Sequence, residues 1–336
     1  MYIFLALSFL SGMVELGSVF LGVHLGYPLP QILMLPFFYQ IGNLLISMLP
    51  KRMSSGILIA SSAMVLVFFY YCHPNFWFLA IQLCCSSYCI QLTRMRHKSV
   101  CPTWLKRLFR IGGFALSPIM IFGSGQIIIL FSLLLCFVLM VTEMKEQKAE
   151  SKQELKGKQK SKGISSVMVL HQMHYFVYTY IMPLYIYKLT DNLFLSALAF
   201  SITWVVYLTP QTITERFSAP NYKRIFFYCH LFLGVCMGVI AIAAFFHKTT
   251  VVLLAWLLTG VGGGSVFCIS HLCKKYESIH MDLSENIGHF LGPLLSVALS
   301  YIARDYALTC LSAASFVFVF MALLIAFYRI RKEAHL

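Results

Sequence analysis

Long apolar runs separated by short polar breaks dominate the chain. Most of these runs are about 20 residues long, the length that an α-helix needs to cross the hydrocarbon core of a bilayer. Backbone polar groups in lipid must be satisfied within the segment, so each run is predicted to be a helix. Twelve spans are predicted, at 2–25, 30–49, 56–72, 75–94, 108–122, 125–142, 167–188, 192–210, 223–246, 249–273, 285–303 and 306–329.

The composition agrees with an integral membrane protein. Of the 336 residues, 59% are hydrophobic and only 11% are charged, whereas a soluble domain carries about 25% charged residues. A net charge of +14 would suggest nucleic acid as the partner of a soluble protein. Here the cations lie in short loops between apolar spans, which is typical of the positive-inside rule. The predicted partner is therefore the lipid bilayer and not nucleic acid.

The positions of the cations also predict the orientation. With the N-terminus in the cytoplasm, all but four of the 26 Lys and Arg residues fall in cytoplasmic segments. A miscounted span would invert every later loop and scramble this pattern. We therefore predict a multi-pass membrane protein with both termini in the cytoplasm. We also expect a monomer in the plasma membrane. The four exceptions are Lys188, Lys248 and Arg304 in outward loops, and Arg110 at the start of the fifth span.

A polar stretch in the middle of the chain separates six spans from the other six. Residues 143–163, EMKEQKAESKQELKGKQKSKG, include almost no apolar side chains and cannot bury enough surface to fold as a domain. We predict an N-terminal six-helix bundle at 1–142, a basic cytoplasmic linker at 143–165 and a C-terminal six-helix bundle at 166–336.

The two halves contain related motifs. GFALSP (113–118) and GHFLGP (288–293) both fit G-x-x-L-[SG]-P, and each lies on the fifth span of its half. Short basic turns, LPKRMSSG (49–56) and TERFSAPNYKR (214–224), join the second and third spans of each half. Because the related segments occupy the same place in the order of spans in each half, the sequence predicts an internal duplication.

With these features the chain resembles the major facilitator superfamily over essentially its whole length. LPKRMSSG keeps the basic pair and the glycine of that family's loop motif but lacks its acidic residue, and the fifth-span motifs are similar to the Gly-Pro-rich motif of the family's exporters. The resemblance implies an all-α fold of two pseudo-symmetric bundles with alternating access. It also implies packing or gating roles for Gly112, Gly113, Pro118, Gly288, Gly292 and Pro293, although ordinary helix packing is the alternative.

Glu15 is the most informative ionisable residue, because it lies near the middle of the first span. An ionised, lipid-exposed carboxylate there would cost on the order of 2.5–3.5 kcal/mol, so we expect it to face a polar interior. A buried carboxyl could take and release a proton near neutral pH, which a proton-coupled carrier needs. The alternative is a structural carboxyl that is hydrogen-bonded to a neighbouring helix.

The seventh span presents a helical face rich in imidazole and phenol. His174, Tyr175 and Tyr178 share this face with His171, and together they could line a cavity for an aromatic or amphipathic solute. Packing is the alternative for the same side chains. His171 and His174 are three residues apart, but no further ligand cluster is visible, so no metal site is predicted.

The eleventh span offers Glu285 and His289, four residues apart, as an ion pair or proton relay. A helix cap with Ser284 as the N-cap is the simpler alternative for Glu285. Arg110 lies near the corresponding place in the fifth span, and the weaker candidates for a cavity are Trp204, Gln211, Gln82 and Gln91.

The function predicted from these features is secondary active transport, coupled to protons or another ion, that exports a small amphipathic or aromatic compound. One alternative is an importer of a sugar, organic acid or peptide-like nutrient, which paired polar residues and a mid-membrane arginine would favour. A membrane enzyme or a receptor is the other alternative, but the sequence shows no Walker motif and no clustered catalytic residues. Neither enzymatic activity nor a cofactor is predicted.

Overall fold

The computed structural model describes residues 2–48, 53–96, 103–122, 125–146, 162–214, 221–272 and 278–327. Every regular element within these ranges is helical, which confirms the all-α prediction. Two 3₁₀ turns lie at Ser117–Ile121 and Arg304–Tyr306. The α-helices are α1 (Tyr2–His24), α2 (Leu29–Met48), α3 (Met53–Cys72), α4 (Phe76–Arg96), α5 (Thr103–Leu116), α6 (Gly125–Glu146), α7 (Lys162–Thr179), α8 (Ile181–Thr190), α9 (Leu193–Thr214), α10 (Tyr222–Phe245), α11 (Thr249–Gly264), α12 (Val266–Leu272), α13 (Ser278–Ala303) and α14 (Ala307–Ile325).

Within the described ranges, nine helical stretches are long and apolar enough to cross a membrane. One of them, Leu283–Ile325, has 43 residues and contains most of α13 and all of α14. At 1.5 Å per residue it is about twice as long as the hydrocarbon core is thick. Two predicted spans are not among the nine: the short, cationic α5 and the broken pair α7–α8. The count of twelve spans stays a prediction.

The chain divides into two compact units, Met1–Lys156 and Gly157–Leu336. In the first unit α1 packs along α5, and α2 packs along α4. In the second unit α7 packs along α13, and α9 packs along α11. The first helix of each unit thus contacts the helix of the predicted fifth span, and the second contacts the fourth, as an internal duplication would require. The exact domain boundaries remain predictions.

Two of the predicted spans are interrupted for local reasons. The seventh span breaks at Tyr180, because Pro183 lacks the N–H that would bond to the carbonyl of Thr179 and its ring crowds that carbonyl. The tenth span turns at Ser265, directly after the run Gly262–Gly264. A Cβ on Gly262 would lie 2.2 Å from Cβ of Leu233. Gly262 therefore lets α11 approach α10 closely, and Gly264, whose Cβ would lie 2.0 Å from the carbonyl oxygen of Tyr207, lets α11 approach α9.

The repeated glycines hold equivalent positions in the two units. A Cβ added to Gly113 would lie 2.0 Å from the carbonyl oxygen of Phe9 and 2.9 Å from the nitrogen of Met13. One added to Gly288 would lie 2.6 Å from the carbonyl oxygen of Val169 and 3.2 Å from the nitrogen of Met173. In both units a glycine of the fifth span thus lies directly against the backbone of the first helix, where no side chain fits.

The other predicted packing residues differ among themselves. Gly292 also lies close to α7, since its Cβ would be 2.7 Å from Cβ of Phe176. Gly112 is not required for packing, because its Cβ would meet only the ring of Phe9, at 3.7 Å. Pro118 opens the 3₁₀ turn after α5, and Pro293 lies inside α13, where it removes the hydrogen bond to the carbonyl of His289. Gating by these residues remains a prediction.

Adjacent glycines provide a matched test of the crossing between α1 and α5. Gly113→Ala is expected to destabilise the protein by about 1–3 kcal/mol, because the new methyl group overlaps the backbone of α1. Gly112→Ala should be tolerated, since its methyl group meets only ordinary van der Waals contacts. Thermal unfolding in detergent would compare the two variants, and equal midpoints would contradict the crossing.

Candidate functional site

The first unit buries a carboxylate in the middle of α1. Glu15 is 2% exposed and forms an ion pair with Arg110 of α5, in which Nη2 of the arginine donates to Oε2 of the carboxylate. The Arg110 side chain is 23% exposed, so the pair is reachable from the arginine side. The expectation that Arg110 lies at a helix end is wrong, because α5 begins at Thr103, about two turns earlier.

A line of hydrogen-bond donors from two other helices ends on the same carboxylate. Ser87 of α4 donates its hydroxyl to Oδ1 of Asn43 of α2, over 2.7 Å. Nδ2 of Asn43 donates to Oε1 of Gln40, over 2.6 Å, and Nε2 of Gln40 donates to Oε1 of Glu15, over 3.4 Å. An ionised carboxylate only accepts hydrogen bonds. The direction of these donors therefore matches an ionised Glu15.

Close backbone packing brings the ion pair together. A Cβ on Gly12 would lie 2.2 Å from the carbonyl oxygen of Arg110, so the backbones of α1 and α5 touch at this point. Glu15 lies about one helical turn beyond Gly12 on the same side of α1. The side chain of Arg110 spans this short distance and reaches the carboxylate.

The polar cluster of the first unit has an excess of positive charge. Arg94 of α4 interacts electrostatically with both Arg110 and Glu15, and its Nη1 donates to Oε1 of Gln91 over 3.4 Å. Two guanidinium groups and one carboxylate sum to one net positive charge. Guanidinium groups bind carboxylates and phosphates through two parallel hydrogen bonds. The cluster therefore has the charge to attract an anionic group.

In the second unit, the predicted phenol face of α7 packs against α9. Tyr175 contacts Trp204 edge-to-face, with ring centroids 5.8 Å apart, and Tyr178 lies 5.9 Å from Tyr175. Tyr207, which the sequence interpretation did not include, lies 5.0 Å from Trp204. The structure thus brings the three predicted aromatic residues into one cluster. Tyr178 is 1% exposed, so it belongs to the interior of that cluster.

The two histidines of α7 meet a third that the sequence interpretation missed. Nδ1 of His171 lies 2.7 Å from Nε2 of His230 of α10, and Nε2 of His174 lies 3.4 Å from Nδ1 of His171. The prediction of no metal site depended on the lack of a further ligand. That premise is wrong, because His230 supplies the third ligand and the three histidines form a group that could hold a metal ion.

Glu285 and His289 lie within ion-pair distance on α13. Their Oε1 and Nε2 atoms are 3.8 Å apart, and the imidazole packs against the tilted ring of Phe176 with ring centroids 4.3 Å apart. The alternative that Ser284 caps the helix is wrong, because α13 begins at Ser278. A proton relay through this pair remains a prediction.

Some of the missed residues had a visible signal in the sequence. Gln40 and Asn43 are three residues apart on one face of an otherwise apolar span, which marks a polar helix face. His230, by contrast, is a single histidine in an apolar run and is 56 residues from His174. Nothing in its neighbourhood predicts the contact, which depends on how α7 packs against α10.

Comparison with known proteins gives structural similarity at low sequence identity. No protein-family model and no curated protein sequence matches the chain. A bacterial homologue of the iron transporter ferroportin in its inward-facing state superposes with a TM-score of 0.68 at 14% identity, over 97% of each chain. A D-xylose-proton symporter gives 0.62 at 13% identity, also over 97% of each chain. The human organic anion transporter MFSD10 gives 0.60 at 12% identity, over 96% of this chain and 99% of that one.

The chain has the major facilitator fold. The predicted resemblance to that superfamily is thus confirmed at the level of architecture. The similar structures named above are those of transporters or their homologues.

The ion pair can be tested by removing one partner and then both. Arg110→Leu is expected to lower the free energy of unfolding by about 3–5 kcal/mol, because it leaves Glu15 buried without its counterion. Adding Glu15→Leu should restore much of the loss, since no buried carboxylate is then left without the counterion that Arg110 supplied. Thermal unfolding of the two variants would measure this, and a double variant less stable than the single one would contradict the pairing.

Proposed function

We propose that the protein is a secondary active transporter that couples solute movement to a proton through Glu15 and Arg110. The observation that carries this proposal is a buried carboxylate whose counterion is itself partly exposed. Protonation of Glu15 removes its negative charge and releases the guanidinium of Arg110. The guanidinium then binds an anionic group of the solute, so proton and solute occupy the pair together.

We propose a small organic anion as the substrate and import as the direction. Arg94 and Arg110 outnumber the single carboxylate of the cluster, and a solute carboxylate would replace Glu15 as the partner of Arg110. Paired polar residues and a mid-helix arginine are the features that favour an importer over an exporter of aromatic compounds. The plasma membrane and cytoplasmic termini belong to the same proposal.

Two other substrate classes are each favoured by an observation in the second unit. Export of an amphipathic or aromatic compound is supported by the cluster of Tyr175, Trp204 and Tyr207. Transport of a metal ion is supported by the three histidines and agrees with the ferroportin homologues and the bacterial metal transporter among the similar structures. Vesicle assays with organic acids, aromatic cations and divalent metals would separate the three classes.

Glu15→Gln tests the coupling, because glutamine resembles the protonated carboxyl. In reconstituted vesicles, this variant should lose accumulation driven by an imposed pH gradient but keep solute exchange at equal concentrations. Asp191→Asn, at an exposed turn, serves as the control and should keep both activities. Gradient-driven accumulation by Glu15→Gln at the wild-type rate would remove Glu15 from the mechanism.

Arg110→Lys tests substrate recognition separately from coupling. Lysine keeps the charge but not the fork of donors that binds a carboxylate at two points. Because a hydrogen bond to a charged group contributes about 1.5–3 kcal/mol, the half-saturating solute concentration should rise roughly ten-fold or more. An unchanged concentration dependence in the exchange assay would show that the solute binds elsewhere.

A further inference from the structure

We propose that His171, His174 and His230 bind one divalent transition-metal ion inside the second unit. One nitrogen of each ring lies within 4.8 Å of the others, and the three side chains are 1%, 0% and 0% exposed, in that order. Two of the ligands come from α7 and the third from α10, so a bound ion would link these helices. The inference depends on the second unit alone and holds whether or not the ion is transported.

Two of the distances between ring nitrogens can be compared with those of a tetrahedral site. With metal–nitrogen bonds of about 2.0–2.1 Å, the ligand atoms of such a site lie roughly 3.3 Å apart. The distance from Nε2 of His174 to Nδ1 of His171 is already 3.4 Å. The 2.7 Å distance between His171 and His230 would have to open by about 0.6 Å, which a small side-chain rotation allows.

Hydrogen bonds fix the ligand atom of His230. The hydroxyl of Ser265 donates to the carbonyl of Gly262 over 2.6 Å, so it accepts a hydrogen bond from Nδ1 of His230 over 2.8 Å. The carbonyl oxygen of Phe226 lies 3.2 Å from the same nitrogen. Nδ1 therefore holds the proton, and the lone pair of Nε2 points at the other two histidines. Metal-binding histidines are oriented in this way by partners of their second nitrogen.

Without a cation, the converging nitrogens cannot all be satisfied. One proton on Nδ1 of His171 can bond to Nε2 of His230. Nε2 of His174 faces that same protonated atom, and Nδ1 of His174 has no hydrogen-bond partner among the described residues. A cation would accept the lone pairs of all three rings at once. Three imidazoles favour zinc, copper, nickel or cobalt over magnesium or calcium, which prefer oxygen ligands.

Zinc binding to the full-length protein in detergent is the test. After treatment with a chelator, the wild type should take up one zinc ion per chain at equilibrium. His174→Gln and His230→Gln should each bind it at least ten-fold more weakly, and Ser265→Ala roughly 10–100-fold more weakly, because it removes the orienting partner. His247→Gln, at an exposed turn, is the matched control and should bind zinc as the wild type does.

A measurement on the wild type tests the site even if the histidine variants fail to fold. X-ray absorption of the zinc-loaded protein should show three imidazole ligands at about 2.0–2.1 Å. Zinc should also raise the unfolding midpoint of the wild type but not that of His174→Gln. Zinc held without imidazole ligands, or held equally by the wild type and both histidine variants, would overturn the proposal. Because binding is measured without a gradient, its outcome is independent of the transport proposal.

Discussion

In both units, helix backbones touch directly at glycine residues. These contacts set where the polar and aromatic side chains of the neighbouring helices lie. In the first unit, Gly12 and Gly113 let α1 and α5 approach until a Cβ on either would overlap the other backbone. Arg110 and Glu15 lie beside these contacts, so their pairing depends on the crossing. In the second unit, Gly288 brings α13 against α7 in the same way. Larger side chains at these glycines would separate the helices and the groups they carry.

The duplicated crossing holds different side chains in the two units. Gly113 and Gly288 contact Phe9 and Val169 through equivalent atoms, so the two crossings can be superposed residue by residue. On that alignment, Glu15 corresponds to Tyr175 and Arg110 corresponds to Glu285. The first unit thus has a buried ion pair where the second has a buried phenol and a part-exposed carboxylate. The same helix geometry supports a charged cluster in one unit and an aromatic cluster in the other.

The sequence predicts features that repeat along the chain better than features that join distant segments. Apolar runs and the motifs GFALSP and GHFLGP were enough to predict helices, the duplication and the glycine contacts, because each depends on local spacing. The apolar pattern predicts one continuous span through Tyr180, whereas the structure breaks the helix there, one turn before Pro183. The ion pair joins residues 95 positions apart, and His230 lies 59 positions from His171. Such contacts depend on how the helices pack, and the spacing of residues along the chain does not predict helix packing.

A buried ion pair is weak evidence for stability, because desolvation of two charges offsets much of their attraction. An apolar pair of similar volume would hold α1 to α5 as well. Ser87, Asn43 and Gln40 nevertheless donate hydrogen bonds in series, and the last of them, Gln40, donates to Glu15 and so favours the anion. In the mechanism that we propose, Glu15 and a solute anion compete for Arg110. Because linked binding free energies are reciprocal, protonation of Glu15 and solute binding to Arg110 would favour each other by the same amount in that mechanism.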